Sequence, residues 1–220
     1  MNTIDCNDYL VEVLKHPCRC EPGLGWTEWY GCTICSGGGK WGIRRDLTRR
    51  YAWAIPTDRA IAAIADWSPI IEIGAGTGYW ANLIASRHAP LPIVRRAVTL
   101  SGTIDLPRGV VVVTYDIRPG HNAWVDADCY HPVAIGNWKM VRRHQDHALM
   151  LCWPPMSRLA EKTLRAYRGN RLIYIGEPEG GCCATDRFFA EIAARWREVQ
   201  TIALPQWWGL HDALWFYERR

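Results

Sequence analysis

One short stretch decides the fold of this protein: Ile70-Ile71-Glu72-Ile73-Gly74-Ala75-Gly76-Thr77-Gly78. Its first four residues are apolar apart from Glu72 and follow Pro69, so they predict a short buried strand. Three alternate glycines come next, and residues 79–87 have the pattern of a helix. Glycines between a strand and a helix allow a tight turn and let a ligand approach the backbone. The stretch therefore predicts a ligand-binding turn at the carboxyl end of a sheet strand.

Strands and helices alternate on both sides of this turn. Further strands are predicted at 109–115, 132–135, 148–152 and 171–175, helices from 56 and at 157–167 and 186–196, a closing strand pair at 198–204 and 213–218, and an irregular insertion at 88–108. This alternation predicts an α/β fold, in which a Rossmann-like parallel sheet is covered by helices on both faces. The last two strands are expected to be antiparallel.

The spacing of the glycines separates two classes of ligand. Dinucleotide-binding turns follow G-x-G-x-x-G, whose last glycine would stand where this chain has Tyr79. An acid followed by Gly-x-Gly-x-Gly instead resembles motif I of the class I methyltransferases, which bind S-adenosylmethionine (SAM). The resemblance implies that Glu72 positions the amino-acid end of SAM. The predicted cofactor-binding residues are Glu72, Gly74, Ala75, Gly76, Gly78, Tyr79, Trp80 and Asp116.

Asp116 belongs to this set because it ends the apolar strand 109–115, where an acid can bind ribose hydroxyls. It follows Gly78 by 38 residues, whereas about 20 would be usual. The spacing requires that the insertion 88–108 loops out. The alternative is that residues 74–78 form only a tight turn.

A second loop, Trp153-Pro154-Pro155-Met156, follows the buried strand 148–152, where open α/β sheets place their active sites. It resembles motif IV of the amino-methyltransferases, Asp/Asn-Pro-Pro-aromatic, with Trp153 in place of the acid or amide and Met156 in place of the aromatic. Since an indole only donates hydrogen bonds, amine recognition would need a backbone carbonyl instead. The alternative is a Pro-Pro turn that merely ends a strand.

Methyl transfer needs a base only if the acceptor must lose a proton. The candidates are Glu177 at the next strand end, His211 in the last loop and Asp212, and His211 has the most suitable unperturbed pKa. A structural or surface histidine is the alternative. The predicted catalytic residues are Trp153, Pro154, Pro155, Glu177 and His211.

Residues 1–50 differ from the rest of the chain and hold five of its nine cysteines. The spacing of the pairs Cys18/Cys20 and Cys32/Cys35 is close to that of cysteines that bind zinc. It predicts a structural zinc site in a small N-terminal module. Reduced cysteines in an irregular cap are the alternative. The basic continuation through Lys40, Trp41, Arg44 and Arg45 could contact DNA or RNA, although such runs are usually solvated surface.

The bulk composition agrees with one ordinary domain, residues 51–220, plus that module. The chain has 220 residues, about half of them apolar, and a formal net charge of +4. We expect neither a signal peptide nor a membrane span, and hence a cytoplasmic protein with unpaired cysteines.

Several further stretches resemble a group of uncharacterised methyltransferase-like proteins of bacteria, phages and fungi. They are residues 51–57, 71–80, 151–155, 180–182 and 209–212. The resemblance implies the fold and a SAM-type ligand over residues 50–220, but no substrate. The expected function is a SAM-dependent methyltransferase acting on a nucleic acid base or a small molecule. The alternatives are a SAM- or nucleoside-binding protein without methyl transfer, and a SAM-using enzyme of another reaction type.

Overall fold

The computed structural model describes residues 7–14, 41–87, 95–99, 102–106, 109–207 and 209–220. The helices are α1 (Asp8–Leu14), α2 (Trp41–Arg50), α3 (Asp58–Ala65), α4 (Tyr79–Ala85), α5 (Leu159–Ala166) and α6 (Asp186–Arg195), with a 3₁₀ helix at Trp138–Arg143. The strands are β1 (Ile70–Ile73), β2 (Arg95–Thr99), β3 (Gly102–Leu106), β4 (Val112–Asp116), β5 (Ala134–Ile135), β6 (Ala148–Cys152), β7 (Arg171–Gly176), β8 (Trp196–Ala203) and β9 (Ala213–Arg219).

Seven of these strands form one mixed sheet in the order β5-β4-β1-β6-β7-β9-β8. The first five run parallel, whereas β9 is antiparallel to both β7 and β8. The α/β sheet and the antiparallel closing pair are thus confirmed. The strand order changes direction between β1 and β6, and ligands of open α/β sheets bind outside the carboxyl ends of the strands at such a point.

Alternate residues of each central strand face two separate apolar cores. Ile70 and Met150 face one core with α3 and α4, whereas Ile71 and Leu149 face the other with α5 and α6. Because both faces are covered, these strands consist almost wholly of apolar residues. Helices on both faces were predicted and are confirmed.

The interval between β1 and β4 is more ordered than its sequence indicated. Residues 88–108 were predicted to be an irregular insertion, but β2 and β3 pair within it as an antiparallel hairpin, outside the main sheet. Prolines and scattered charges hide the period-2 pattern on which a strand prediction depends. The hairpin accounts for the long separation between the glycine turn and Asp116.

Two helices, α1 and α2, lie in a segment that had no helical signal in the sequence. Tyr9, Val13 and Leu47 pack with Tyr51 and Tyr79 in a third apolar cluster. The helices are short and half of the residues of α2 are charged, so their buried faces give little periodicity. The domain boundary at residue 50 stays a prediction.

Gly78→Ala should lower the free energy of unfolding by about 3 kcal/mol, because strain and a clash add together. Gly78 has φ +69°, and a Cβ there would lie 2.9 Å from Val133 Cγ2 and 3.0 Å from His131 Cβ. Gly180→Ala is the matched control, since its φ is +86° but no heavy atom lies within 4 Å of the added Cβ. It should cost about 1 kcal/mol. If urea unfolding gives equal losses of unfolding free energy for Gly78→Ala and Gly180→Ala, the clash at Gly78 is absent.

Within the described residues, no helix is both long and apolar enough to cross a membrane.

Candidate functional site

The glycine turn is held against the end of β4 by backbone hydrogen bonds. The amides of Gly74 and Ala75 both donate to the carbonyl of Tyr115, at 2.8 and 3.2 Å. Gly74, Gly76 and Gly78 all have positive φ. The loop therefore curls over the carboxyl ends of β1 and β4, at the edge where the sequence predicted a ligand.

Asp116 ends β4 and faces this turn. Its side chain is buried, with Oδ2 accepting the Gly76 amide at 3.0 Å and Oδ1 accepting the Arg118 amide at 2.8 Å. These two bonds fix the carboxylate beside the loop. Since each carboxylate oxygen accepts more than one hydrogen bond, both can still take a hydroxyl from a ligand.

Glu72 lies on β1 and is only 2 % exposed. Its Oε2 atom has no hydrogen-bond partner among the described residues. Burial, and secondarily the nearby charge of Asp116, raises the pKa of Glu72 to about 8. An unpartnered buried carboxyl costs free energy, so this position suits a ligand that brings a cation or a donor.

A pocket of about 640 Å³ opens above these groups, within the usual range for small-molecule sites. It lies between the carboxyl ends of β1, β4 and β6, and its described lining contains two carboxylates, Glu72 and Asp116. The predicted residues Gly74, Ala75, Gly76, Trp153 and Pro155 also line it. Gly78 and Pro154 lie outside this lining, Gly78 against the 131–133 segment and Pro154 buried.

Tyr79 and Trp80 are mainly packing residues, although both reach the pocket wall. Tyr79 contacts Tyr9, Tyr51 and Tyr130, and its hydroxyl accepts the Tyr9 amide at 3.2 Å. Trp80 is buried in the core, with its indole N–H donating to the Ala54 carbonyl at 3.3 Å. The two side chains therefore support the floor of the pocket.

Three indoles, Trp53, Trp124 and Trp153, line the pocket together and are called here the tryptophan wall. Trp53 stacks on Trp153 with ring centroids 4.7 Å apart and planes 26° apart, and Trp124 meets Trp53 at 6.1 Å and 74°. The guanidinium carbon of Arg44 lies 5.5 Å from the Trp53 ring. The wall offers a flat, aromatic surface with a cation at its rim.

Trp153 is held in a strained backbone conformation, with φ +49°. Its indole N–H donates to Asp212 Oδ1 at 2.8 Å. Asp212 is fully buried, and burial raises its pKa to about 7. The donor of Trp153 is therefore engaged by the protein, while the ring faces the pocket.

Glu177 and His211 lie outside the described pocket lining. The buried carboxylate of Glu177 accepts the Cys182 amide at 3.0 Å and also the amide of His211. The His211 side chain is 64 % exposed, with Nδ1 3.5 Å from Glu177 Oε1. Glu177 thus connects two loops, and a role for either residue as a base stays a prediction.

The zinc prediction falls on Cys18, Cys20, Cys32 and Cys35, which lie outside the described residues. Elsewhere, the part of the chain that the structure describes contains no group of three or more His, Cys, Asp or Glu residues arranged to hold a metal ion.

Comparison with known proteins adds no family. No protein-family model and no curated protein matches this chain. Inferences about function therefore depend on the geometry of the pocket and on the sequence motifs.

Sequence reasoning did not find the contribution of Trp53, Trp124 and Arg44 to the pocket. These residues come from three separate segments and meet only in the folded protein. Trp53 does lie in the stretch 51–57 that resembles the methyltransferase-like group, but that resemblance gave it no role in the pocket.

Proposed function

We propose that this protein binds SAM in the pocket above the glycine turn and transfers its methyl group to an acceptor held against the tryptophan wall. The observation that carries the proposal is the contact of Asp116 with the Gly76 amide. This contact brings together the glycine turn and the acid at the end of β4, which are 40 residues apart in the chain. SAM, an adenosyl derivative of an amino acid, requires both elements on one side of a pocket.

Glu72 supports SAM over a nucleotide. SAM carries a cationic amino group, whereas nucleotides carry phosphates. An unpartnered buried carboxyl at the base of the pocket can ionise to pair with the first, whereas a phosphate would favour its protonated form and gain no ion pair. The residues that would hold SAM are Asp116 at the ribose, Glu72 at the amino group and the backbone of residues 74–76 between them.

The sheet provides independent support. Counted within the seven-stranded sheet, its strand order begins 3-2-1-4-5, as in nucleotide-binding doubly wound folds. It then departs by placing an antiparallel final strand between β7 and β8. An antiparallel closing pair is the addition that the methyltransferase resemblance implies.

The arrangement suits a reaction that requires positioning more than acid–base chemistry. SAM, when bound, supplies a methyl group on an already activated sulfonium. Both carboxylates in the described pocket lining are assigned to SAM, which leaves the acceptor side to Trp53, Trp153 and Met156. These side chains would orient an acceptor and exclude water, and we infer an acceptor that needs no dedicated carboxylate base.

One observation favours a second candidate, a SAM-binding protein without methyl transfer. At the position where amino-methyltransferases carry an acid or amide, this chain has Trp153, whose donor is engaged by Asp212. A protein that retains the binding turn but lacks the acceptor contact could use SAM as a regulatory ligand.

Calorimetry with SAM, S-adenosylhomocysteine and NAD tests the proposal. We expect the first two to bind with a Kd of roughly 1–100 μM and NAD not to bind. Transfer of labelled methyl to DNA, RNA or a metabolite extract then separates enzyme from binding protein. Absence of heat and of thermal stabilisation with both SAM and S-adenosylhomocysteine at about 1 mM would overturn the proposal.

A further inference from the structure

A strip of five exposed cations, called here the basic seam, lies on the 3₁₀ helix and on and just after α5. Its members are Lys139, Arg142, Lys162, Arg165 and Arg168. Between the two elements is a groove of about 430 Å³, lined by Arg142, Gln145, Arg165, Ala166 and Arg168.

The seam carries an excess of positive charge. Within the described chain, Arg165 is its one member with an acid within 4.0 Å, bound to Glu161 at 3.0 Å and near Glu191. Glu161 is itself buried and also paired with Arg158. Most of the positive charge is thus available to an anionic partner.

An aromatic ring interrupts these cations. The charged groups of Lys139, Arg142 and Lys162 lie 5.8, 5.5 and 5.9 Å from the centroid of the half-buried Trp138 ring. Proteins that bind single-stranded nucleic acid combine cations for the phosphates with aromatic rings on which bases stack. An acidic peptide would use the charges but not the ring.

The seam leads into the SAM pocket. Gly136 and Asn137 line that pocket immediately before the 3₁₀ helix, and Leu159 lines it as the first residue of α5. Both elements therefore begin at the pocket rim and extend away from it for about 12 Å. A strand bound along the seam would have one end at the tryptophan wall.

We propose that the basic seam binds single-stranded nucleic acid and that the pocket receives one of its bases against Trp153. The phosphates contact Lys139, Arg142 and Lys162, and a neighbouring base stacks on Trp138. Binding to the seam stands on its own observations, whereas the role of the base as methyl acceptor rests on the proposed function. The nucleic-acid contact predicted for the basic run after residue 40 is separate from this seam and stays a prediction.

Fluorescence anisotropy with labelled single-stranded DNA and RNA oligonucleotides and the full chain tests this. Arg142→Glu/Lys162→Glu should weaken binding at least about tenfold. It should also reduce the slope of log K against log salt by about 1.4, since each lost phosphate contact removes about 0.7. Arg59→Glu/Arg87→Glu makes the same change in net charge at exposed positions on the α3 and α4 side of the sheet, where Arg87 contacts the Asp58 carbonyl, and should retain most of the affinity.

Equal weakening by both double variants would show that only net charge matters and would overturn the proposal. Displacement of the oligonucleotide by poly-glutamate at equal charge would do the same, because it indicates an acidic protein partner. If the first variant is unfolded, Lys139→Gln/Arg168→Gln, which introduces no acids, provides the comparison. Oligonucleotide binding without SAM binding would refute the proposed function and leave the seam standing, and the converse result would refute the seam alone.

Discussion

Asp116→Ala is expected to weaken SAM binding at least about 100-fold, which corresponds to about 2.7 kcal/mol. The carboxylate would accept both ribose hydroxyls in charge-assisted hydrogen bonds, each worth about 1.5–3 kcal/mol. It also holds the Gly76 amide at 3.0 Å, so its loss loosens the turn that approaches the ligand. Calorimetry with SAM and S-adenosylhomocysteine should show the same loss, because both carry the ribose.

Asp128→Ala is the matched control. Asp128 lies in the segment after β4 but is fully exposed and outside the described pocket lining. It should leave SAM affinity within about threefold of the unchanged protein. If an Asp116→Ala variant remains folded and binds SAM as tightly as this control, then Asp116 does not bind the ribose. The assignment of SAM to this pocket would then be wrong.

Glu72→Gln is expected to have opposite effects on stability and on binding. The pKa of Glu72 is about 8 in the folded protein, raised by burial and by Asp116, against 4.5 for the ordinary side chain. Between these values the unfolded chain releases the proton while the folded protein retains it, so the free energy of unfolding falls as pH rises from about 4.5 to 8. Glutamine removes that dependence. We expect the variant to be more stable at pH 8 by about 2 kcal/mol.

The same substitution should weaken SAM binding about 30-fold at pH 8, because the amino group of SAM loses its anionic partner. Binding to the unchanged protein at pH 7 should release close to one proton, since the cation favours the ionised form of Glu72. Calorimetry in two buffers of different ionisation enthalpy measures that proton. The Glu72→Gln variant should release no proton. If it releases as many protons as the unchanged protein, Glu72 is not the group that pairs with the ligand.

Glu161→Gln supplies a control of opposite sign. Its carboxylate is hydrogen-bonded to Arg158 and ion-paired with Arg165, and these cations lower its pKa. Neutralising it should therefore destabilise the protein at pH 8 and leave SAM affinity unchanged. If Glu72→Gln and Glu161→Gln change the stability at pH 8 in the same direction, the effect at Glu72 does not come from its charge.

The sequence predicted those parts of the site that depend on the residue pattern within one continuous segment. The strand before Gly74 and the acid at the end of β4 each follow from local pattern, because parallel strands bring their carboxyl ends to one edge. Their contact in the structure needed only that rule. The order of the sheet, with β9 between β7 and β8, could not be obtained from local pattern, since either strand can pair with β7.

The wall of the pocket was less accessible to sequence reasoning. Trp153 was recognised as facing the pocket, but its hydrogen bond to Asp212 spans 59 residues and involves a loop with no regular structure. The stacking of Trp53 on Trp153 likewise depends on how distant loops meet above the sheet. Such contacts are set by tertiary packing, and local propensity carries no information about them.

The position of β9 has a consequence for how the protein is made. This strand follows both β7 and β8 in the chain, yet it supplies the hydrogen-bonding partner of both. Until it arrives, β7 presents an unpaired edge and β8 has no place in the sheet, a state prone to association with other chains. Asp212 immediately precedes β9, so Trp153 is fixed at the same moment. During synthesis, the β7 edge is therefore covered and the Trp153 side chain is fixed only once β9 has been made.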